Sequence, residues 1–231
     1  KTFLVFGKEG EDEGTMKDEA EKANIDLIFI PELQRELSPI KDIIAFFKLI
    51  KVIKRIKPDI VHTHLSKAGM IGRLAAWLCG VKIIIHTFHG HTLHSYFGRI
   101  KTLFFITIER LLSLISTRII TLTENQREEI IKFGIGNKDK VIVFPLGLSL
   151  DRFYNLSEKK GWLRKELGIF DKPIVGTIAR LVPIKDIGTF LEAAKIVLQE
   201  IKDAIFIIAG DGYLREELKK RAQDLGINEN V

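Results

Sequence analysis

The sequence predicts an α/β protein built on parallel sheets. Short apolar runs alternate with helical patterns from the first residues to the last, which is the pattern of strands joined by crossover helices. An irregular stretch, Pro145 to Ser157, interrupts the alternation once and marks a domain boundary. Of the 231 residues, 46% are hydrophobic and 29% charged, which is enough for a sizeable core. The reading is therefore an α/β fold with helices on both sheet faces and two domains, 1–150 and 151–231.

The elements follow in order. Lys1 to Phe6 reads as a strand, and GKEGEDEGTMKDEAEKA as a polar loop leading into a short helix. Asp26 to Ile30 is a second strand, stopped by Pro31. Pro39 to Lys57 is a long helix with Pro39 in its first turn. Ile43, Phe46, Phe47, Ile50 and Ile53 build a wide apolar face, while Lys41, Lys48, Lys51 and Arg55 recur on the other side. Asp59 to Thr63 is a strand, Lys67 to Cys79 a helix ended by Gly80, and Lys82 to Thr87 a strand. Gly98 to Ile115 is helical and unusually apolar, broken only by Arg99, Lys101, Glu109 and Arg110. Arg118 to Leu122 is a strand, and Thr123-Glu124-Asn125-Gln126 a capping box whose helix stops at Gly134. Lys140 to Phe144 is the next strand. Beyond the boundary come a helix (Glu158 to Leu167), a strand after Lys172, a helix from Asp186 to Glu200 and a strand from Ala204 to Ala209. Gly210-Asp211-Gly212 then opens a helix to about Leu225. A domain that opens on a strand and a second sheet with only two full strands both predict further sequence at each end.

Composition narrows the partners. A net charge of +6 suits anionic ligands: nucleotides, phospholipid surfaces or nucleic acid. The basic–aromatic interleaving that stacks bases is absent, which argues against nucleic acid. The lone Cys79 excludes an internal disulfide, and its setting, GRLAAWLCG, reads as a small buried apolar residue rather than a nucleophile. The opening TFLVF reads as a strand, not a signal peptide, and no stretch reaches the ~18 uncharged apolar residues of a membrane span.

Two regions carry candidate chemistry. The strand Ile174 to Ile178 ends in a loop with Arg180 and Lys185, just before a helix N-terminus. Ligands of open parallel sheets sit outside strand carboxyl ends, where helix N-termini offer unpaired N–H groups. An Arg fork and a Lys point charge on that loop suit a diphosphate, the plainer reading being two solvated charges. All six histidines fall between His62 and His94, at the ends of two successive strands. His62 and His64 alternate with Thr63 and so point the same way, His86 reads as a sheet histidine, and Gly90 frees the loop beside His89 and His91. Their spacing does not match a helical metal-binding pair, so no metal is expected, and hydrogen bonding to a polyhydroxylated ligand fits better. Gly210-Asp211-Gly212 is a weak signal alone, and neither a dinucleotide fingerprint nor a P-loop is present.

Together the stretches KPDIVHTHLSKAGMIGRLAA, IIIHTFHGH, STRIITLTENQREEI, VIVFPLGLSLDRF, IARLVPIKDIGTFLEAA and IIAGDGYLREELKKRA resemble the family 4 retaining glycosyltransferases (glycosyl transferases group 1). The resemblance implies the GT-B architecture, two Rossmann-like domains facing one another across a cleft. Residues 1–150 become an acceptor-side domain lacking its first strand, and 151–231 a partial nucleotide-sugar-binding domain. It implies that Arg180 and Lys185 hold the donor diphosphate, that His89 is the catalytic histidine at the transferred sugar, and that Gly210, Asp211 and Gly212 line the donor pocket. On slighter grounds, His91, Ser66 and Lys67 become acceptor-side residues. Family members work without a divalent metal.

The implied activity is transfer of a hexose or N-acetylhexosamine from a nucleotide sugar, UDP-linked, with retention. The acceptor is a cell-surface polysaccharide, a lipopolysaccharide or a lipid-linked glycan at the cytoplasmic face of the membrane. The basic helices 39–57 and 99–115 suggest contact with anionic lipid. The chain departs from the family pattern at Ala179 and Asp186, where Gly is usual, and at Pro145-Leu146-Gly147-Leu148-Ser149, where Pro-Asn-Gly-Val-Asp is usual. The family's N-terminal Gly-rich strand-loop and its C-terminal pair of glutamates have no counterpart, so the chain alone is expected to be inactive. A non-catalytic partner subunit and a sugar-nucleotide epimerase of the same fold are the alternatives.

Overall fold

The structure is a computed structural model that describes residues 1–8, 15–34, 36–90, 98–148, 150–154 and 160–231. The chain divides into two compact units, Lys1–Leu148 and Ser149–Val231.

In the first unit, β1 (Phe3–Phe6) and β2 (Asp26–Phe29) pair in parallel around α1 (Lys17–Lys22). After α2 (Pro39–Ile56) comes a four-stranded parallel sheet in sequence order: β3 (Ile60–His64), β4 (Ile83–Thr87), β5 (Arg118–Thr121) and β6 (Val141–Val143). Its connections are α3 (Ser66–Leu78), α4 (Arg99–Ile115) and α5 (Glu124–Lys132). Local chemistry sets their ends. Pro39 takes the first position of α2 and Asp42 reaches back to accept the Ser38 N–H. Gly80 and Gly134 adopt the left-handed conformation just past α3 and α5. Thr123 Oγ1 accepts the Gln126 N–H, as the capping box requires. Gln126 Oε1, however, takes the N–H of Leu122 rather than that of Thr123.

The core of this sheet lies on one face. Register puts Thr63, His86, Ile119 and Val141 side by side, and Val61 beside Ile84. Two clusters pack there: Ile53, Ala75, Ala76 and Ile84 under α2 and α3, and Phe88, Ile106, Ile119, Ile130, Ile135 and Val141 under α4 and α5. The other face carries Ile60, His62, His64, Ile83 and Ile142, all exposed. Helices on both faces were the expectation, but among the described residues the buried clusters of this sheet sit on one. Two-sided apolar strands signal burial on both faces; the structure satisfies only one.

α2 also differs from its pattern. Its seam toward α3 buries Ala45 and Ile53, whereas Ile40, Ile43, Ile44 and Phe47 are exposed. The expected apolar face was too wide for one packing partner. The opposite, basic side is partly tied down by Lys48 to Glu32 at 2.5 Å.

A buried ion pair joins α3 to α4. Arg73 donates from Nη2 to both Glu109 oxygens, at 2.9 and 2.8 Å, and from Nε to the Gly69 carbonyl. Burial pushes the Glu109 carboxyl up and the Arg73 guanidinium down, each opposed by the partner's charge.

In the second unit, the boundary stretch read as irregular holds a one-turn helix, α6 (Asp151–Tyr154). The helix expected over 158–167 is α7 (Trp162–Glu166), with Gly161 left-handed before it; residues 155–159 lie outside the described set. β7 (Ile174–Ile178) and β8 (Ile205–Ala209) pair in parallel, each followed by a helix: α8 (Ile187–Glu200) and α9 (Arg215–Asp224). Leu191, Ala194, Phe206, Ala222 and Ile227 form their core.

Candidate donor loop and histidine cluster

The second unit gathers four of its five predicted site residues at the carboxyl ends of β7 and β8. The loop after β7 is stitched to the one after β8: Ala179 N–H to Ala209 O at 3.1 Å, Leu181 N–H to Asp211 O at 2.8 Å and Leu214 N–H to Leu181 O at 3.2 Å. Arg180, at the centre of that stitching, therefore lies against Gly210-Asp211-Gly212. The close approach needs glycine. A Cβ on Gly210 would stand 1.9 Å from Ala179 O, and one on Gly212 would stand 2.5 Å from Leu181 O. Asp211 Oδ1 accepts the Gly212 N–H and its carboxylate lies 3.6 Å from Arg215.

Lys185, the fifth, closes a 3-10 turn, Pro183–Lys185, that feeds α8. Asp186 follows in the left-handed conformation, φ +46°, and caps α8: its carboxylate accepts the Thr189 N–H at 3.4 Å and the Thr189 hydroxyl at 2.7 Å. Both cations are exposed. The backbone conformation gives a physical reason for glycine at position 186 in the family pattern, since φ > 0 is strained for residues with a Cβ. Asp tolerates it better than most and adds a cap, at the cost of a negative charge next to Lys185.

In the first unit the histidines form a ladder at the carboxyl ends of β3 and β4, on the sheet's open side. The rings of His62 and His64 stand 4.3 Å apart. His62 Nε2 lies 2.7 Å from Thr87 Oγ1, and His64 Nδ1 lies 2.8 Å from His89 Nε2. Burial and the neighbouring imidazoles hold His64 at about 4, and the same two causes lower His62. His86, read as a sheet histidine from its place within its strand, is fully buried. Its Nδ1 meets Thr63 Oγ1 at 2.9 Å and burial, reinforced by Arg73, holds it at about 2. Immediately after His64, Leu65 takes φ +65° and turns the chain into α3, with Ser66 in its first position. Lys67 is bound to Asp42 of α2 and to the Glu36 carbonyl in the segment before it. His91 lies outside the described residues.

The sequence pattern did not reveal the His64–His89 contact, the Arg73–Glu109 pair or the left-handed Asp186. Only the alternation in HTH hinted at the first. A hollow of ≈ 320 Å³ between α4 and the segment joining α5 to β6 is lined by Arg110, Leu111, Ser113, Leu114, Gly134, Gly136, Asn137 and Lys140, none of them a predicted site residue. Among the described residues no group of three or more His, Cys, Asp or Glu is placed to hold a metal ion.

The loops and their order match known sequences. Residues 8–152 match Glycosyltransferase Family 4. The chain belongs to that family. Residues 160–231 match Glycosyl transferases group 1, so the two family matches meet near the division between the units. The chain is 37% identical over 198 residues to UDP-Gal:alpha-D-GlcNAc-diphosphoundecaprenol alpha-1,3-galactosyltransferase of Escherichia coli, covering 84% of this chain and 51% of that protein. It is 25% identical over 182 residues to the capsular polysaccharide biosynthesis glycosyltransferase CapM of Staphylococcus aureus, covering 77% and 47%. Among solved structures it superimposes on Anabaena Alr3699/HepE in complex with UDP and glucose with a TM-score of 0.77 at 18% identity, over 98% of this chain and 60% of that one. That likeness shows the fold, GT-B. The family chain spans about half the length of the curated relatives it matches.

Proposed function

We propose that the whole protein is a retaining glycosyltransferase that moves a hexose or N-acetylhexosamine from a UDP-sugar to a lipid-linked or polysaccharide acceptor. The observation that carries the reading is the stitched loop pair: Arg180 against Gly210–Gly212, with Lys185 one turn away at the start of α8. The similar E. coli protein is named for a UDP-galactose donor and a lipid diphosphate acceptor, and the similar Anabaena structure is titled as holding UDP and glucose.

In this reading Arg180 and Lys185 take the donor's diphosphate. As the bond from the anomeric carbon to the phosphate oxygen breaks, the electron pair goes to the diphosphate, and preorganised cations stabilise that growing charge. The α8 N-terminus adds its unpaired N–H groups. His89 meets the transferred sugar, and Ser66 and Lys67 serve the acceptor. No divalent ion has a role. The departures at Asp186 and Leu146 favour a non-catalytic partner subunit, the Asp186 carboxylate because it opposes an anion at Lys185. Calorimetry on the full-length protein separates the two: an enzyme gives heat with UDP, whereas a subunit that has lost its donor site gives none with UDP or any UDP-sugar.

The reading includes a peripheral position on an anionic membrane at its cytoplasmic face. Among the described residues no helix is long and apolar enough to cross a membrane. α4 nonetheless points a row of large apolar side chains outward: Ile100, Leu103, Phe104, Leu111 and Leu114 are 87, 61, 61, 61 and 74% exposed. Its exposed charges, Arg99, Lys101 and Arg110, are all cationic, because its single acid, Glu109, is buried against Arg73. An apolar row edged only by cations suits an anionic interface. The full-length protein should float with vesicles containing phosphatidylglycerol and not with pure phosphatidylcholine, and Leu103→Ser with Leu114→Ser should weaken flotation. Equal flotation with both lipids would remove this part of the reading.

A further inference from the structure

The histidine ladder does more than collect imidazoles at one sheet edge. β3 and β4 pair with His64 opposite Thr87, so His62 and His64 share a face two residues apart. His89 comes two residues after β4 ends, and its ring turns back so that Nε2 meets His64 Nδ1 at 2.8 Å, with centroids 5.1 Å apart. The His62 ring also lies against His64, centroids 4.3 Å apart and planes tilted by 38°, and His62 is itself fixed by Thr87, only 4% exposed. His64 is thus held by a strand-anchored ring and the ring of His89. Next to His89, Gly90 has φ +152°, and among the described residues a Cβ there would meet nothing within 4 Å.

An imidazole has two nitrogens. With Nε2 of His89 taken by His64, only Nδ1 remains for a ligand. This holds whichever of the two rings supplies the shared hydrogen. The environment of His64 keeps it neutral near pH 7, so it adds no positive charge beside its partner.

We propose that His64 is the positioning residue of His89: it binds His89 Nε2 and so presents His89 Nδ1, and only that nitrogen, to the transferred sugar. The proposal rests on the reading that His89 meets that sugar. His62 supports it by packing against the His64 ring.

The test uses the full-length protein with ¹⁵N-labelled histidine. The His89 ring nitrogens should report a single tautomer. In His64→Ala they should move toward the averaged signature of a free imidazole. In His64→Asn, whose side chain can replace the Nδ1 contact, they should stay near the wild-type position. In parallel, His64→Ala should lower kcat about 10–100-fold with KM for the nucleotide sugar changed less than about 3-fold, and His64→Asn should recover most of that loss. Orienting partners of functional imidazoles have effects of that size. His89 resonances unmoved by His64→Ala would overturn the proposal and leave the transferase reading intact. Resonances that move in His64→Ala while kcat stays at the wild-type value would overturn the sugar contact of His89 instead. An asparagine variant as impaired as alanine by both readouts would also overturn the positioning role.

Discussion

Arg180→Ala in the full-length protein is expected to lower kcat about 10²–10³-fold, the range seen when one preorganised donor to a developing anion is lost. Lys185→Ala should act in the same direction. Arg180→Lys should recover only part, since an ammonium keeps the charge but loses the two-pronged geometry that matches a phosphate. The location supports these effects. Arg180 lies where the β7 loop is hydrogen-bonded to the β8 loop through Leu181 and Asp211, so its backbone is fixed before any ligand arrives. Steady-state kinetics with a UDP-sugar reads the result. An Arg180→Ala enzyme within about 3-fold of wild type would end the diphosphate reading. Asp186→Gly should move the other way and tighten UDP. It removes a carboxylate beside Lys185 and relaxes a left-handed residue, while glycine keeps most of the cap's worth.

The second large effect is on stability. Glu109→Ala should cost about 3–5 kcal/mol, the usual result of stripping one partner from a buried ion pair. Arg73 is fully buried, and its Nη1 has no hydrogen-bond partner, so the orphaned guanidinium would have little to fall back on. Urea unfolding of the chain measures this. Replacing both, Arg73→Met with Glu109→Leu, should cost much less, because an apolar pair of similar volume leaves no buried charge. A single variant that unfolds at the wild-type midpoint would show that the pair is solvated. The effect should concentrate in the first unit, because the pair ties α3 to α4.

Much of the architecture was readable because its causes are local. Thr123 caps α5 and Gly134 ends it through contacts spanning a few residues, and such contacts leave a mark in the pattern. The pairing of the loops after β7 and β8 was less legible: Gly210 and Gly212 are a weak signal in the sequence, and the structure shows that each stands where a backbone passes too close for a side chain. The histidine ladder was half legible. Alternation put His62 and His64 on one face, but it could not say that the free ring nitrogen of His64 would find His89, 25 residues on. The apolar width of α2 misled, because hydrophobicity records what a surface could bury, not how much of it finds a partner.

The residue order alone settled the succession of strands and helices, the parallel class, the caps, and the two cations set before a helix N-terminus. All of these follow from the conformational preferences of neighbouring residues. Packing alone decided that Arg73 would meet Glu109, that His64 would hold His89, that the buried clusters of the four-stranded sheet would gather on one face, and that the loop carrying Arg180 would be hydrogen-bonded to the one carrying Gly210–Gly212. Those outcomes depend on strand register and on side chains brought together across long separations of chain, and no local preference encodes a distance between them.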